Sequence, residues 1–562
     1  MKAFLTPRGA FAKPHTEHLL RRAFGLILAF VMSLGEAGAQ TTTWVSHDSD
    51  GNEGDGTNTL ASVSADGRYV AFQSNSGNLV AQDTNECTDI FVHDLWLSET
   101  RRVSISSDGT EGNDSSYYAS ISADGRYVAF LSRANNLVPL DTNGWADVFV
   151  HDRNTGETTR VSVSSDGDQA TSLSYVSSIS ADGLHVAIQS AASNLVTGDS
   201  NGTTDIFVHD READETTLVS IDSDGNQADS YSWNPSISAD GRYVAFQSVS
   251  TNLVPEDNNE TWDVFVHDRQ LGKTTRVSVD SDGNEANDYS YNPSLSEDGR
   301  YVAFYSWATN LVPLDTNGQG DIFVHDCESG ETTRVSVDSD GNEAESFSQY
   351  PSISADGRFI AFDSQADNLV PDDTNGWVGD IFVHDRETGE TVRVSVDSYG
   401  NEANDYSRHA AISGNGRYVA FQSEATNLVV EDTYSNYLGD EIYVRGPLTD
   451  AQLEVTVDIA PNRDVNRINP ERGRLAVAIV TDEAFDATQV DPASVRFGPE
   501  EAASVSVRRA DIDRDGDTDL VLQFQTAETG ISCGDTEATL TGLTYQGISV
   551  SGTDAITPVG CR

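Results

Sequence analysis

A nine-residue segment, Ser-Ala-Asp-Gly-Arg-Tyr-Val-Ala-Phe or a close variant, recurs seven times, with its central residue at Asp66, Asp124, Asp182, Asp240, Asp298, Asp356 and Asn415. The spacing is 58 residues five times and then 59. A fixed period of this length makes each unit one supersecondary element that buries its faces against its neighbours. Four short β-like runs per period argue against a helical solenoid. They predict an all-β, seven-bladed β-propeller with four-stranded antiparallel blades.

Blade five illustrates the reading. Pro293 to Ser296 forms the inner strand, and Asp298-Gly299 a tight hairpin turn that suits positive φ. Arg300 to Ser306 follows as the second strand, Asp321 to Asp326 as the third and Thr332 to Val337 as the fourth, after a Ser329-Gly330 turn. The seventh unit stops after its third strand, Glu441 to Arg445. Its missing fourth strand matches Thr41 to Gly51, which is expected to pair with blade seven and close the ring, removing two sheet edges.

The order of inner strand, Asp-Gly-Arg, Val-Ala-Phe, Asp-Ile-Phe-Val and Thr-Gly-Glu resembles the TolB-type, WD-repeat-like bacterial propeller repeat over residues 41 to 446. The resemblance implies the fold. Such propellers include partner-binding proteins and non-catalytic parts of hydrolases, so it leaves function open. The repeats here are longer, and no helical or α/β segment of the kind found in TolB precedes them.

Residues 1–39 read as a signal peptide: Lys2, Arg8, Lys13, Arg21 and Arg22 precede the apolar run Ala23 to Leu34 and the small-residue site Ala37-Gly38-Ala39. Arg21-Arg22 leaves ordinary secretory and twin-arginine export both open. No segment is long and apolar enough for a membrane span, so a secreted or periplasmic monomer is expected. Losing the peptide removes five positive and two negative charges, taking the formal charge from −56 to −59 and leaving Lys273 as the one lysine. A polyanion of this kind repels nucleic acid and anionic lipid; it favours cations, basic proteins or neutral glycans. Cys533 and Cys561 bracket the last segment and make the expected disulfide, whereas Cys87 and Cys327 lie four repeats apart and read as unpaired.

In a meander, the turns between strands one and two and between three and four share one rim. The longer connections share the other, and all the extra length of these blades falls there. That long-loop face is acidic and aromatic, and Tyr117, Tyr175, Trp233 and Tyr291 beside the inner strands are its candidate partner-binding residues. Packing between loops is the alternative role for them. The loop between strands two and three repeats Asp-x-Asn-x-x-x-Asp, as in Asp141, Asn143, Asp147 and in Asp315, Asn317, Asp321, which suits calcium or an Asx-turn scaffold. His-Asp pairs end the third strands of six blades, and six equivalent copies point to a structural hydrogen bond. His185 and His409 depart from the repeat without forming a triad or metal motif.

After Pro447 a different pattern begins with Leu453 to Ile459 as a strand. Residues 451–562 read as a small, β-sandwich-like, calcium-binding domain similar to one at the ends of secreted bacterial proteins. Asp511, Asp513, Asp515, Asp517 and Asp519 surround Gly516 in a calcium-loop pattern that runs into the strand Leu520 to Phe524, without the glutamate of an EF-hand. The whole reads as an exported, calcium-stabilised, non-catalytic scaffold that recruits a protein, peptide or glycan on its long-loop face. A secreted hydrolase or lyase and an acidic, cation-collecting surface protein are the alternatives.

Overall fold

The computed structural model describes residues 40–430, 439–448, 452–461, 466–470, 472–481, 485, 487–499, 502–512, 516–544 and 549–559. The expected signal peptide, residues 1–39, lies outside them. The chain divides into two compact units, one running from Gln40 to Leu448 and the other beginning at Thr449.

The first unit is a β-propeller whose described residues form seven four-stranded antiparallel sheets. In blade five the strands are Ser290–Leu295, Tyr301–Ser306, Asp321–Asp326 and Thr332–Arg334. The fourth is shorter than the sequence pattern implies, because beyond Val335 the chain turns away and keeps only a bridge from Val337 to Glu343. The first begins earlier, at Ser290, and carries a bulge between Tyr291 and Ser294. A bulge inserts an unpaired residue and redirects the side chains that follow.

Apolar layers between blades hold the unit together. The second and third strands are buried on both faces, and Phe304 stacks on Phe323 with ring centroids 5.9 Å apart. Turn chemistry is equally regular: Gly299 has φ +74°, while Arg300 donates a two-pronged ion pair to Asp326 across the hairpin ends. The same carboxylate accepts the turn N–H groups of Glu328 and Ser329, as Asp210 accepts those of Glu212 and Ala213 in blade three, where Leu184 replaces the arginine. The histidine before the aspartate bonds a threonine of the fourth strand, as in His325 Nδ1 to Thr332 Oγ1 at 2.9 Å.

Closure follows from two features. Thr41–Trp44 pairs antiparallel with Glu441–Gly446, completing blade seven. Around the short-turn side, a backbone N–H of each blade donates to a carbonyl of the next, from Ala65 to Ala123 and onward to Ala355 to Gly414, and Asn415 N–H returns to Ala65 O at 3.0 Å.

In the second unit, a five-stranded and a four-stranded sheet share one apolar core that includes Val477, Leu522 and Phe524 from one sheet and Val495, Phe497 and Leu540 from the other. The expected strand Leu453 to Ile459 is two strands. Gln452–Glu454 runs parallel to Ser549–Ala555 in one sheet, and Val457–Ile459 joins the other, so the chain crosses between sheets at Val455 and Thr456. Asp519–Gln525 forms a strand where the sequence pattern places one. Among the described residues no helix is long and apolar enough to cross a membrane.

Candidate functional site

Repetition fixes the backbone of the long-loop rim, so differences between blades stand out as chemistry. Trp233 and Tyr291 enter the first strands of blades four and five, and Trp262 lies between them, with centroids 4.6 Å from Trp233 and 6.3 Å from Tyr291. Tyr231 stands 6.1 Å from Trp233, and Tyr289 stacks on Tyr291 at 5.8 Å. Tyr305 and Trp307 extend the row at steps of 6.3 Å. Seven rings thus form one sector. Tyr231, Trp233, Tyr289 and Trp307 are between 38% and 46% exposed, enough to meet a partner while their edges pack.

Space for this sector is made locally. Tyr305 stands where blade four has Gln247 and blade seven has Gln422, and a Cβ on Gly320 would lie 2.3 Å from its ring. Burial pushes the Tyr305 hydroxyl up to about 12, so it stays protonated. Tyr117 and Tyr175 do not join: Tyr117 packs against the apolar layer of blades two and three and tilts against Tyr118, and no ring contact links Tyr175 to the sector among the described residues.

The first-strand bulges set the lining of the central channel, a cavity of about 590 Å³. Leu60, Tyr118, Asn234, Asn292, Tyr350 and His409 line it with φ between 51° and 55°. Such a conformation is costly for residues other than glycine. It is held in part by glutamines of the preceding blade, whose Oε1 accepts the N–H of Leu60, Tyr118, Asn234 and Asn292 at 2.8–3.1 Å. Sequence reasoning missed this lining because the bulge, invisible in the residue pattern, puts the neighbour of each chosen aromatic into the channel.

In blades six and seven polar and acidic side chains replace the rings at the same rim positions. Asp363 replaces the glutamine; it is 5% exposed, its Oδ2 accepts from Gln349 at 3.2 Å, and its Oδ1 has no partner. Burial raises its pKa to about 8. His409 tilts against Tyr350 at 4.3 Å, and burial pulls its imidazole down to about 4, leaving it neutral. His185 sits on the opposite rim, 3.6 Å from Asp210.

In blades one, two, four, five and six the strand-two-to-three loops are tied by guanidinium groups, whereas in blade three Gln227 donates to Asp199 and Asp205. In blade five Arg334 Nη1 lies 3.6 Å from both Asp315 and Asp321 and 2.9 Å from Glu343. Asn317 donates to Asp321 Oδ2, and Ser336 to Oδ1. Burial outweighs these partners and raises Asp321 to about 6. Blade two repeats the arrangement with Arg160 beside Asp141 and Asp147, while Asn143 donates to Asp147 and accepts from Trp145 N–H. In these two blades a guanidinium of the protein's own stands beside the loop carboxylates. Among the described residues no group of three or more His, Cys, Asp or Glu side chains is placed to hold a metal.

In the C-terminal loop Asp513 and Asp515 lie outside the described residues. Asp511 and Asp517 are exposed. Asp519 is buried, and its oxygens accept the N–H groups of Thr481 and Ile512, so it anchors the turn. Cys533 is disulfide-bonded, Cys87 and Cys327 are free, and Cys561 lies outside the described residues.

No protein-family model and no curated protein matches the sequence. Among solved structures, the chain is similar to a protein assigned as TolB from Agrobacterium tumefaciens, with 16% identity, TM-score 0.34 and coverage of 62% of this chain and 94% of that one. It is also similar to the β-propeller domain of the Trilobed protease from Pyrococcus furiosus, with 12% identity, TM-score 0.42 and coverage of 70% and 98%. A prolyl endopeptidase structure matches at 13% identity and TM-score 0.41, covering 77% of this chain and 56% of that chain's length. The propeller assignment rests on the seven sheets and their ring of hydrogen bonds, and these likenesses carry no argument on activity.

Proposed function

We propose that this chain is an exported, non-catalytic binding scaffold that recruits its partner on the long-loop face, along the aromatic sector of blades four and five. The supporting observation is the row of seven rings, several of them exposed, on one side of a rim whose other blades lack such a row among the described residues. Sugar rings stack on such faces while Asx side chains nearby bond hydroxyls, so a neutral glycan is the partner best suited to a chain this acidic. Protein and peptide partners are the other outcomes of the same screen. Calcium is assigned to the loop of Asp511, Asp513, Asp515 and Asp517, where it would neutralise crowded carboxylates and stiffen the second unit.

A glycan array and a pull-down with residues 40–562, with and without calcium, would identify the partner. Trp233→Ala with Tyr291→Ala is expected to weaken capture about thirtyfold or more, as loss of aromatic anchors does. Thr155→Ala on the opposite rim should change little. Capture that survives the double variant removes the face assignment. Asp513→Ala with Asp515→Ala is expected to abolish calcium uptake in calorimetry on the same chain and leave the propeller's melting transition in place; unchanged uptake rejects the loop. A hydrolase remains the second reading because His409 and Tyr350 meet on the channel wall and the carboxyl of Asp363, whose Oδ1 has no partner, acts electrostatically on Tyr350; turnover stopped by His409→Ala would establish it.

A further inference from the structure

In blades two, three, four and six, the residue after the third strand's aspartate is an arginine: Arg153, Arg211, Arg269 and Arg386. Each Nη1 donates to the carbonyl of its own blade's turn glycine, Gly125, Gly183, Gly241 or Gly357, at 2.5–2.7 Å. Three of the guanidinium groups lie over a tyrosine of the preceding blade: Arg153 over Tyr69 at 4.3 Å, Arg211 over Tyr127 at 4.6 Å and Arg386 over Tyr301 at 4.3 Å. Those tyrosines also carry their own blade's Arg68, Arg126 and Arg300. Each therefore holds two cations.

Blade five has Cys327 at this position. Tyr243 carries Arg242 at 4.6 Å, and no second guanidinium lies over it among the described residues. A cavity of about 490 Å³ opens there, lined by Tyr243, Gly299, Asp268, Asp298, Lys273 and Cys327 among others. Its walls match the filled slots: a Cβ on Gly299 would fall 2.2 Å from the Tyr243 ring, as one on Gly125 would fall 2.1 Å from Tyr69. Packing around the cavity pushes the Cys327 thiol up to about 12, so the sulfur that opens onto it is uncharged.

We propose that this cavity between blades four and five is a recognition slot for an arginine side chain of a partner polypeptide. Its planar cation would lie on Tyr243 and donate to the Gly299 carbonyl, reproducing the geometry that Arg153, Arg211 and Arg386 adopt in the same molecule. Asp268 stands at the place from which Asp94 and Asp152 act on Arg153 and Arg211. Asp298 and Glu328 add negative charge, against Arg300, which pairs with Glu328 at 2.9 Å, and Lys273. Burial pulls the His325 imidazole below its ordinary value, against protonation. Lys273 is exposed and occupies the place of Glu157 and Glu215, so its ammonium competes with an incoming guanidinium and lowers affinity.

The slot lies on the short-turn rim and is independent of the aromatic sector. Its test is a ligand-observed NMR titration of residues 40–562 with an acetylated Gly-Arg-Gly amide, compared with the same peptide carrying citrulline, which keeps the shape and loses the charge. The arginine peptide is expected to bind at least about tenfold more tightly. Cys327→Arg fills the slot from within and should abolish binding; Cys327→Leu, which mimics Leu95 of blade one, should do the same should the arginine variant fail to fold. Lys273→Glu should strengthen binding several-fold, and Trp233→Ala with Tyr291→Ala should leave it unchanged. Equal affinity for citrulline, binding retained in a folded Cys327 variant, or no gain from Lys273→Glu overturns the proposal.

Discussion

At the rim positions that hold Trp233, Tyr291, Tyr305 and Trp307 in blades four and five, blades six and seven hold Gln349, Arg408, Asp363 and Glu424. The backbone beneath is the same, with a first-strand bulge in each blade. One sector is therefore a row of rings, and the other is polar, with two acidic side chains, one amide and one guanidinium. The difference shows that stability and surface chemistry are separable here. Buried Val-Ala-Phe and Ile-Phe-Val layers hold every blade, so rim side chains can change character without disturbing register.

The largest expected effect lies at Asp363. Its folded pKa, about 8, stands above the ordinary 3.8, so between about pH 4 and pH 8 the folded chain keeps a proton that the unfolded chain loses. Stability attributable to this group is present below the window and lost as pH rises through it. Asp363→Gln, which restores the residue of blades three, four and seven, should stabilise the protein by about 2 kcal/mol or more at pH 8.5 and by much less at pH 5. Urea denaturation of both proteins at the two pH values measures this; a pH-independent difference would break the contrast.

A smaller effect separates two glycines. Gly320→Ala places a Cβ 2.3 Å from the Tyr305 ring, whereas at the matching Gly379 the nearest atom is 3.6 Å away. Overpacking of this kind costs about 1–3 kcal/mol, so Gly320→Ala should lower the melting temperature and Gly379→Ala should not. Equal shifts would mean that the aromatic sector has no special packing demand.

The smallest is at Arg408, a partly exposed residue that pairs with Glu424 and lies 3.7 Å from Asp440. Arg408→Met should cost at most about 1 kcal/mol and lose that cost at high salt, by the same denaturation assay.

Much of this architecture was legible in the chain itself. The Asp-Gly-Arg turn named each hairpin, and the absent fourth strand of blade seven pointed to Thr41–Trp44 as its completion. The sixfold His-Asp pair read as structural, and His325 does bond Thr332 while Asp326 holds Arg300. The site was less legible. Trp233 and Tyr291 are joined only through Trp262, which comes from a different loop, and Tyr117 was drawn into an apolar layer by its neighbours across the blade interface. Periodicity of two along a strand also fails at a bulge, which is why Tyr118 and His409, and not the residues before them, face the channel.

The ring of interblade hydrogen bonds, running from Ala65 around to Asn415 and back to Ala65, has a consequence for connectivity. Every donor points the same way around the circle, so no blade is first and none is last. Gln40 Nε2 already donates to Leu448 O at 2.9 Å, so the two ends of the propeller unit are neighbours. A propeller unit whose ends are joined by a short linker and reopened at the Thr155-Gly156 turn would keep every bond of the circle. The position of its termini is then an accident of the polypeptide path.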